Sequence, residues 1–160
     1  MNRHDREVRS TEKLIDIMDQ CKYCRLAMHD EDGTIYVVPV NFGYEVYEND
    51  DITLWFHGTT HGKKLSLLRK NPQVGFEMDC NIQLIESASV CSYSYSYMSL
   101  VGKGQITFVD DSDIPLKQKA MSLILKHQAN LQNVVIPPRK LQNVTIYYLT
   151  VQELSGKMHV

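Results

Sequence analysis

A chain of 160 residues with 43% apolar and 22% charged side chains is long enough for one domain around a full hydrophobic core, which excludes a disordered or fibrous polypeptide. Its formal charge of −2 supplies no general attraction to nucleic acid or to an acidic membrane. No apolar run reaches the roughly 18 residues of a membrane span, and the opening Met1-Asn2-Arg3-His4-Asp5-Arg6-Glu7 is not of signal-peptide type, so the expected location is the cytoplasm.

In chain order, Ser10 is placed to cap a helix through about Gln20, with Leu14, Ile17, Met18 and Cys21 along one face. The period then changes to two. Residues 23–29 read as a strand, Asp30-Glu31-Asp32-Gly33 as a hairpin turn and residues 34–47 as one long strand. Pro39 removes a ladder donor inside that strand, marking an edge, a bulge or a site left open. After Glu48-Asn49-Asp50-Asp51 comes a third strand over 52–57, then a helix over about 60–70 that Asn71-Pro72 stops. Residues 73–79 read as a strand, and 82–90 as another strand or an irregular connection. Ser92-Tyr93-Ser94-Tyr95-Ser96-Tyr97 is either a strand with its tyrosines on one face or an aromatic flap over a ligand. A long strand over 98–109 carries Gly102 and Gly104, which predict a bend or bulge. Asp111-Ser112-Asp113 opens a third helix with Pro115 in its first turn and Leu116, Ala120, Leu123, Ile124 and His127 along one face. A polar loop over 129–140 leads to a closing strand over 143–151 and a short basic tail after Ser155-Gly156. Hairpin-linked strands dominate this order, which favours an antiparallel barrel with helices packed outside over a doubly wound parallel sheet.

The four cysteines, Cys21, Cys24, Cys80 and Cys91, are few for a disulfide scaffold, and no second Cys/His pair completes a zinc site with Cys21 and Cys24. They read as buried or half-buried structural thiols, and no metal is expected.

The most informative stretch is Leu54-Trp55-Phe56-His57-Gly58-Thr59-Thr60-His61-Gly62-Lys63-Lys64-Leu65. An apolar strand passes through a glycine-containing turn into a helix opening on two lysines. Helix N-termini offer unpaired N–H groups and partial positive charge to phosphate, Lys63 and Lys64 add cations, and Thr59 or Thr60 could cap the helix. The pattern suits a phosphorylated aromatic ligand; alternatively both lysines are solvated surface residues. His57 is either a histidine bonded to backbone or a donor beside a ligand. Asn41 could pair with a ligand amide edge or close a bulge beside Pro39, and Trp55 is core or an interface anchor. No serine–histidine–carboxylate or paired-carboxylate arrangement is evident, which agrees with chemistry carried by a cofactor.

Four segments recur in register: Pro39-Val40-Asn41-Phe42-Gly43-Tyr44; Trp55-Phe56-His57-Gly58 followed by Gly62-Lys63-Lys64-Leu65; Asn71-Pro72-Gln73-Val74; and Tyr97-Met98-Ser99-Leu100-Val101-Gly102-Lys103-Gly104. In these the chain resembles the pyridoxamine 5′-phosphate oxidase-like flavin-binding proteins, in particular their nitroimidazole-resistance (Nim-type) branch, from about Arg3 to His159. The resemblance implies a mainly β (α+β) fold over the whole chain, an antiparallel split β-barrel of the FMN-binding type with flanking helices. It implies a homodimer with FMN, or sometimes FAD, at the subunit interface. Carried over by position, Val38, Pro39, Val40 and Asn41 would line the isoalloxazine, and Phe56, His57 and Gly58 would follow its edge. Lys63 and Lys64 would reach the phosphate, with Tyr97 and Ser99 also at the cofactor. Met98 stands where many such sequences have arginine, which removes a phosphate contact there. The residues that recognise vitamin B6 in true pyridoxamine phosphate oxidases are not evident. The implied activity is flavin-dependent reduction of a small aromatic substrate such as a 5-nitroimidazole, with His57 as the side chain nearest the chemistry. The same fold also serves flavin or haem binding without turnover.

Overall fold

A computed structural model describes residues 4–159; Met1, Asn2, Arg3 and Val160, and with them the start of the family resemblance, lie outside the described residues. The elements are β1 (Glu7–Val8), α1 (Thr11–Gln20), β2 (Cys24–His29), β3 (Ile35–Val40), β4 (Gly43–Val46), β5 (Ile52–Gly58), α2 (Lys63–Lys70), β6 (Gln73–Ile85), β7 (Ser94–Phe108), α3 (Ile114–Ala129), α4 (Pro138–Leu141) and β8 (Thr145–His159), with 3₁₀ turns at His4–Arg6 and Val90–Ser92.

All pairings are antiparallel, along the path β3-β2-β6-β7-β8-β5-β4, with β1 added on β8. The two ends of this path, β3 and β4, are separated in sequence only by Asn41 and Phe42. Three residue steps span at most about 11 Å, so the ends of the sheet must meet and the sheet curls into a barrel. No ladder joins β3 to β4 among the described residues. The barrel is therefore split, in agreement with the expected fold class.

Alternation sorts the strands into an inner and an outer face. Leu26, Met28, Leu54, Phe56, Phe76, Met78, Leu100, Tyr147 and Leu149 fill the interior. Helix α1 adds Ile17 and Met18 to that core, and α2 adds Leu65, Leu67 and Leu68. Each such side chain contributes about 1.5–3 kcal/mol by leaving water. Helix α3 lies outside, burying Ala120 and Ile124 over Trp55 and Ile146, which places Trp55 in a second cluster of the core. Asp113 caps α3 by accepting from Leu116 N at 3.0 Å, and Asn130 ends it in the left-handed region at φ 54°. Lys117 on α3 is fully buried, with its ammonium donating to Asp111 Oδ1 (2.7 Å), Val144 O (3.0 Å) and Leu141 O (3.3 Å). Among the described residues no helix is long and apolar enough to cross a membrane.

Several boundaries differ from the sequence reading. The expected strand over 34–47 is two strands, because the chain crosses from one end of the sheet to the other at Asn41–Phe42. Helix α2 begins at Lys63 rather than near Thr60: Gly62, at φ 130°, precedes it with no side-chain cap, and Thr59 Oγ1 donates instead to His61 O at 2.7 Å. The expected tail after Ser155-Gly156 continues β8 to His159, and the loop over 129–140 holds the short α4. Residues 82–85 belong to β6, and Ser94–Tyr97 open β7 with Tyr95 and Tyr97 on one face, whereas Ser92 ends a 3₁₀ turn and Tyr93 follows it outside the strand, so the strand reading holds only from Ser94 on. Cys21 and Cys24 are buried and Cys80 half-buried, but Cys91 is exposed at the end of the β6–β7 hairpin.

Candidate functional site

The split gathers most of the residues singled out in the sequence. In the β4–β5 ladder Gly43 pairs with Trp55 and Tyr44 with Leu54. Continued by two residues, that register would set Asn41 opposite His57 and Val40 near Gly58. Among the described residues that ladder is not made; β3 turns away and pairs only with β2, while Phe56, His57 and Gly58 pair only with β8. Backbone N–H and C=O groups thus stand open on both lips, over Val38–Asn41 and Phe56–Gly58. Unpaired strand edges of this kind need a partner.

The side chains at the lips divide by direction. Val40 is buried, Val38 is half-buried against the core, and Pro39 is exposed on the outer face. Pro39 takes the edge position expected of a residue without a donor. Asn41 turns its amide to α3, donating to Gln128 Oε1 (3.0 Å) and Lys22 O (3.4 Å). The Phe56 ring is fully buried and stacks on Tyr147 with centroids 5.3 Å apart, so at the split Phe56 presents backbone rather than ring. His57 is exposed at the rim, and no hydrogen bond of its ring is recorded among the described residues. Partial burial, and secondarily Lys64, hold its pKa below the usual histidine value.

The two lysines have different environments. Lys63 pairs with Asp30 Oδ2 at 2.5 Å and lies over the Tyr36 ring; the hydrogen bond to Asp30 raises its pKa. Lys64 has no carboxylate partner among the described residues. It is half-buried, its Nζ is 5.5 Å from the Tyr147 ring centroid, and burial lowers its pKa. The amine also lies 3.9 Å from where a Cβ on Gly58 would stand, and no other atom comes within 4 Å of that point. A half-buried cation at an uncapped helix start, beside an open glycine, is unfavourable unless an anion joins it. This donor set fits a phosphate.

Tyr97 and Ser99 lie elsewhere. Tyr97 pairs with His159, and Ser99 with Asp79 and Lys157. Phe108, which shares a row with Tyr147 and Phe56, is nine residues from Ser99 along β7, roughly 30 Å of strand. One chain does not bring Tyr97 or Ser99 to the split. Three neighbours of the site had no sequence signal: Asp30, which engages Lys63; Gln128, which holds Asn41; and Tyr147, whose buried hydroxyl lacks a hydrogen-bond partner among the described residues. The last two enter through long-range pairing that no local motif announces.

Two other features are not part of the split. A groove of about 690 Å³ between α1, β4 and α3 contains Tyr44, whose hydroxyl donates to Asp19 Oδ1 at 2.5 Å, and His127, whose Nε2 donates to Cys21 O at 2.9 Å. Among the described residues no cluster of three or more His, Cys, Asp or Glu side chains is arranged to hold a metal ion.

Comparison with known proteins gives one family match. The family model described as pyridoxamine 5′-phosphate oxidase matches residues 10–158. A candidate 5-nitroimidazole antibiotic resistance protein from Bacteroides thetaiotaomicron VPI-5482 is 28% identical, with 94% of this chain and 85% of that one covered at a TM-score of 0.78. A flavocytochrome from Azotobacter vinelandii (15% identity; 100% and 72% covered; TM-score 0.78) and an FAD and haem binding protein from Mycobacterium smegmatis (20%; 96% and 73%; 0.78) share the fold. No curated protein sequence matches the chain.

Proposed function

The chain belongs to the pyridoxamine 5′-phosphate oxidase family, and on that premise we propose that it is a flavin-binding oxidoreductase that reduces nitroaromatic compounds such as 5-nitroimidazoles. The observation that carries the reading is Lys64, a half-buried ammonium without a carboxylate partner among the described residues, at the start of α2 and at the mouth of the barrel split. The likeness to the Bacteroides protein points to the nitroimidazole class.

A flavin held here would supply two-electron redox chemistry. The chain's residues would do the rest. Lys64 and the free N–H groups at the start of α2 would hold the phosphate of FMN, or the corresponding phosphates of FAD. The open edges at Val38–Asn41 and Phe56–Gly58 offer N–H donors and carbonyl acceptors to the polar edge of a flat ring. His57, whose pKa partial burial and Lys64 hold below the usual histidine value, stands at the rim able to offer a hydrogen bond from its ring. Lys63 has a smaller part, since Asp30 already occupies it.

A homodimer belongs to the same proposal. The outer face of β3, β2, β6 and β7 exposes Ile35 (57%), Val37 (54%) and Val101 (53%) among the described residues. A twofold contact would cover this face and would let Tyr97 and Ser99 of one copy approach the split of the other. Purified protein should then carry a flavin absorbance spectrum and turn over a 5-nitroimidazole when given a reductant. Protein that neither holds nor takes up FMN or FAD would contradict the cofactor; bound flavin with no nitro reduction would contradict the substrate class alone.

A further inference from the structure

The β6–β7 hairpin leaves the barrel past Asp79. The β6 register shifts between Cys80 and Gln83, Asn81 takes φ 55°, and residues 81–86 are all exposed. Among the described residues β2 pairs with β6 only at Gly75, Phe76 and Glu77, and β8 pairs with β7 as far as Tyr97, so the arm beyond these points has no further strand beside it there. A two-stranded ribbon is marginal alone in water, and exposed edges are normally guarded by charge. Here Glu86 is the one charged residue in positions 81–97. Apolar groups take the place of charge: Leu84 (48% exposed) sits directly opposite Tyr95 (54%), and Ile82 (56%) lies two residues along the same face. The reverse face carries Gln83, Ser94 and Ser96 together with Ile85. The arm is also held in place, since Asn81 Nδ2 donates to Gln20 Oε1 (2.7 Å) and His159 Nδ1 to Tyr95 O (2.8 Å).

We infer that this arm is a clasp onto a second copy of the chain, with its Ile82–Leu84–Tyr95 face buried against the other barrel. The inference rests on the dimeric reading above and names the surface that secures it. A second copy is the fitting occupant because the arm is continuous with the exposed face of the sheet. Tyr95, Tyr97, Ser99 and Val101 alternate along one side of an unbroken β7, so arm and barrel present one surface. That surface is balanced in charge. Arg25, Lys103 and Lys157 lie among Glu77, Asp79 and Glu153, with Arg25 bonded to Glu77 (2.9 Å) and to Asp79, and Lys103 to Glu153 (2.9 Å). A twofold contact sets a face against its own copy, where a net charge of either sign would repel. This face meets that condition, and the nearly uncharged arm extends it.

The test is light scattering over a dilution series for wild type, Leu84→Asp/Tyr95→Asp on the apolar face, and Gln83→Asp/Ser96→Asp on the reverse face. Wild type and the reverse-face variant should hold twice the 18.5 kDa chain mass. The apolar-face variant should dissociate at concentrations on the order of tenfold higher or more, with its circular dichroism intact because both side chains are exposed in the single chain. A wild-type dimer whose dissociation constant is unchanged in Leu84→Asp/Tyr95→Asp overturns the clasp and leaves the dimer standing. Equal weakening by both variants overturns the assignment to the apolar face. A monomeric wild type overturns the dimer itself.

Discussion

Lys63 and Lys64 are adjacent in sequence and differ in what they can still bind. Asp30 neutralises Lys63, whereas Lys64 is half-buried with its charge unmatched among the described residues. Charge-assisted hydrogen bonds to a partly buried phosphate are worth about 1.5–3 kcal/mol, or roughly tenfold to a hundredfold in affinity. Lys64→Ala should therefore weaken FMN binding by about that factor in a fluorescence titration, while Lys63→Ala should change it far less. The reverse order would move the phosphate to the Asp30 side. Histidine protonation gives a second test at this scale. Burial first, then Lys64, lowers the pKa of His57; burial first, then Lys22, lowers that of His127, against upward contributions from its bond to Cys21 and from Asp19. A folded-state pKa below the unfolded value means that the unfolded chain binds more protons. The stability these rings contribute is therefore present above about pH 6.5 and is lost as pH falls through their folded-state values. His127 is the better reporter, with its ring 4.5 Å from that of Phe42 and its Nε2–H fixed on Cys21 O. Melting temperatures should decline between pH 7 and 5, less steeply in His127→Gln; parallel slopes would remove His127 from the account.

Among the elements, close approach tests the packing of α3 most simply. A Cβ on Gly43 would stand 2.5 Å from Ile124 N and 2.5 Å from Leu123 C, both backbone atoms of α3. Gly43→Ala must push the helix off β4, at a cost of about 1–3 kcal/mol in urea unfolding; an unchanged midpoint would show that α3 is free to move. The same scale explains what the sequence disclosed. Period and punctuation placed α1, β2, β5, α3 and the start of β6, because Asn71-Pro72 and the Asp113 cap act locally; Ser10 takes the N-cap position of α1, but the expected side-chain cap hydrogen bond is not made. The division of residues 34–47 was not legible, since alternation runs smoothly through Asn41–Phe42 and only barrel closure separates the two strands. β1 was invisible for a related reason: its two residues exist as a strand through pairing with Lys157 and Gly156 at the far end of the chain. The split itself was half legible. Pro39 marked an open edge, and the residues of the other lip were named, but the register that sets the lips opposite each other depends on the β4–β5 ladder. Tyr97 and Ser99 were named with them, yet they sit at the other end of β7.

For the whole molecule, the distance along β7 and the exposed outer face lead to the same expectation. A barrel with exposed Ile35, Val37 and Val101 on one side and an apolar arm beyond it has an unpartnered surface, and a stable dimer needs about 800 Å² from each copy. Scattering should give twice the chain mass at micromolar concentration, and flavin content should approach one per chain because a twofold axis makes two equal sites. A flavin-loaded monomer would rule out a shared site and leave the split of one barrel sufficient. The central claim is that the barrel split and the start of α2 form a flavin site whose phosphate end is Lys64. Its most direct test is the comparison of FMN with riboflavin on the unmodified apo protein by fluorescence titration. FMN should bind roughly tenfold to a hundredfold more tightly, the value of a charge-assisted phosphate contact. Equal affinities, or no binding of either, would contradict it.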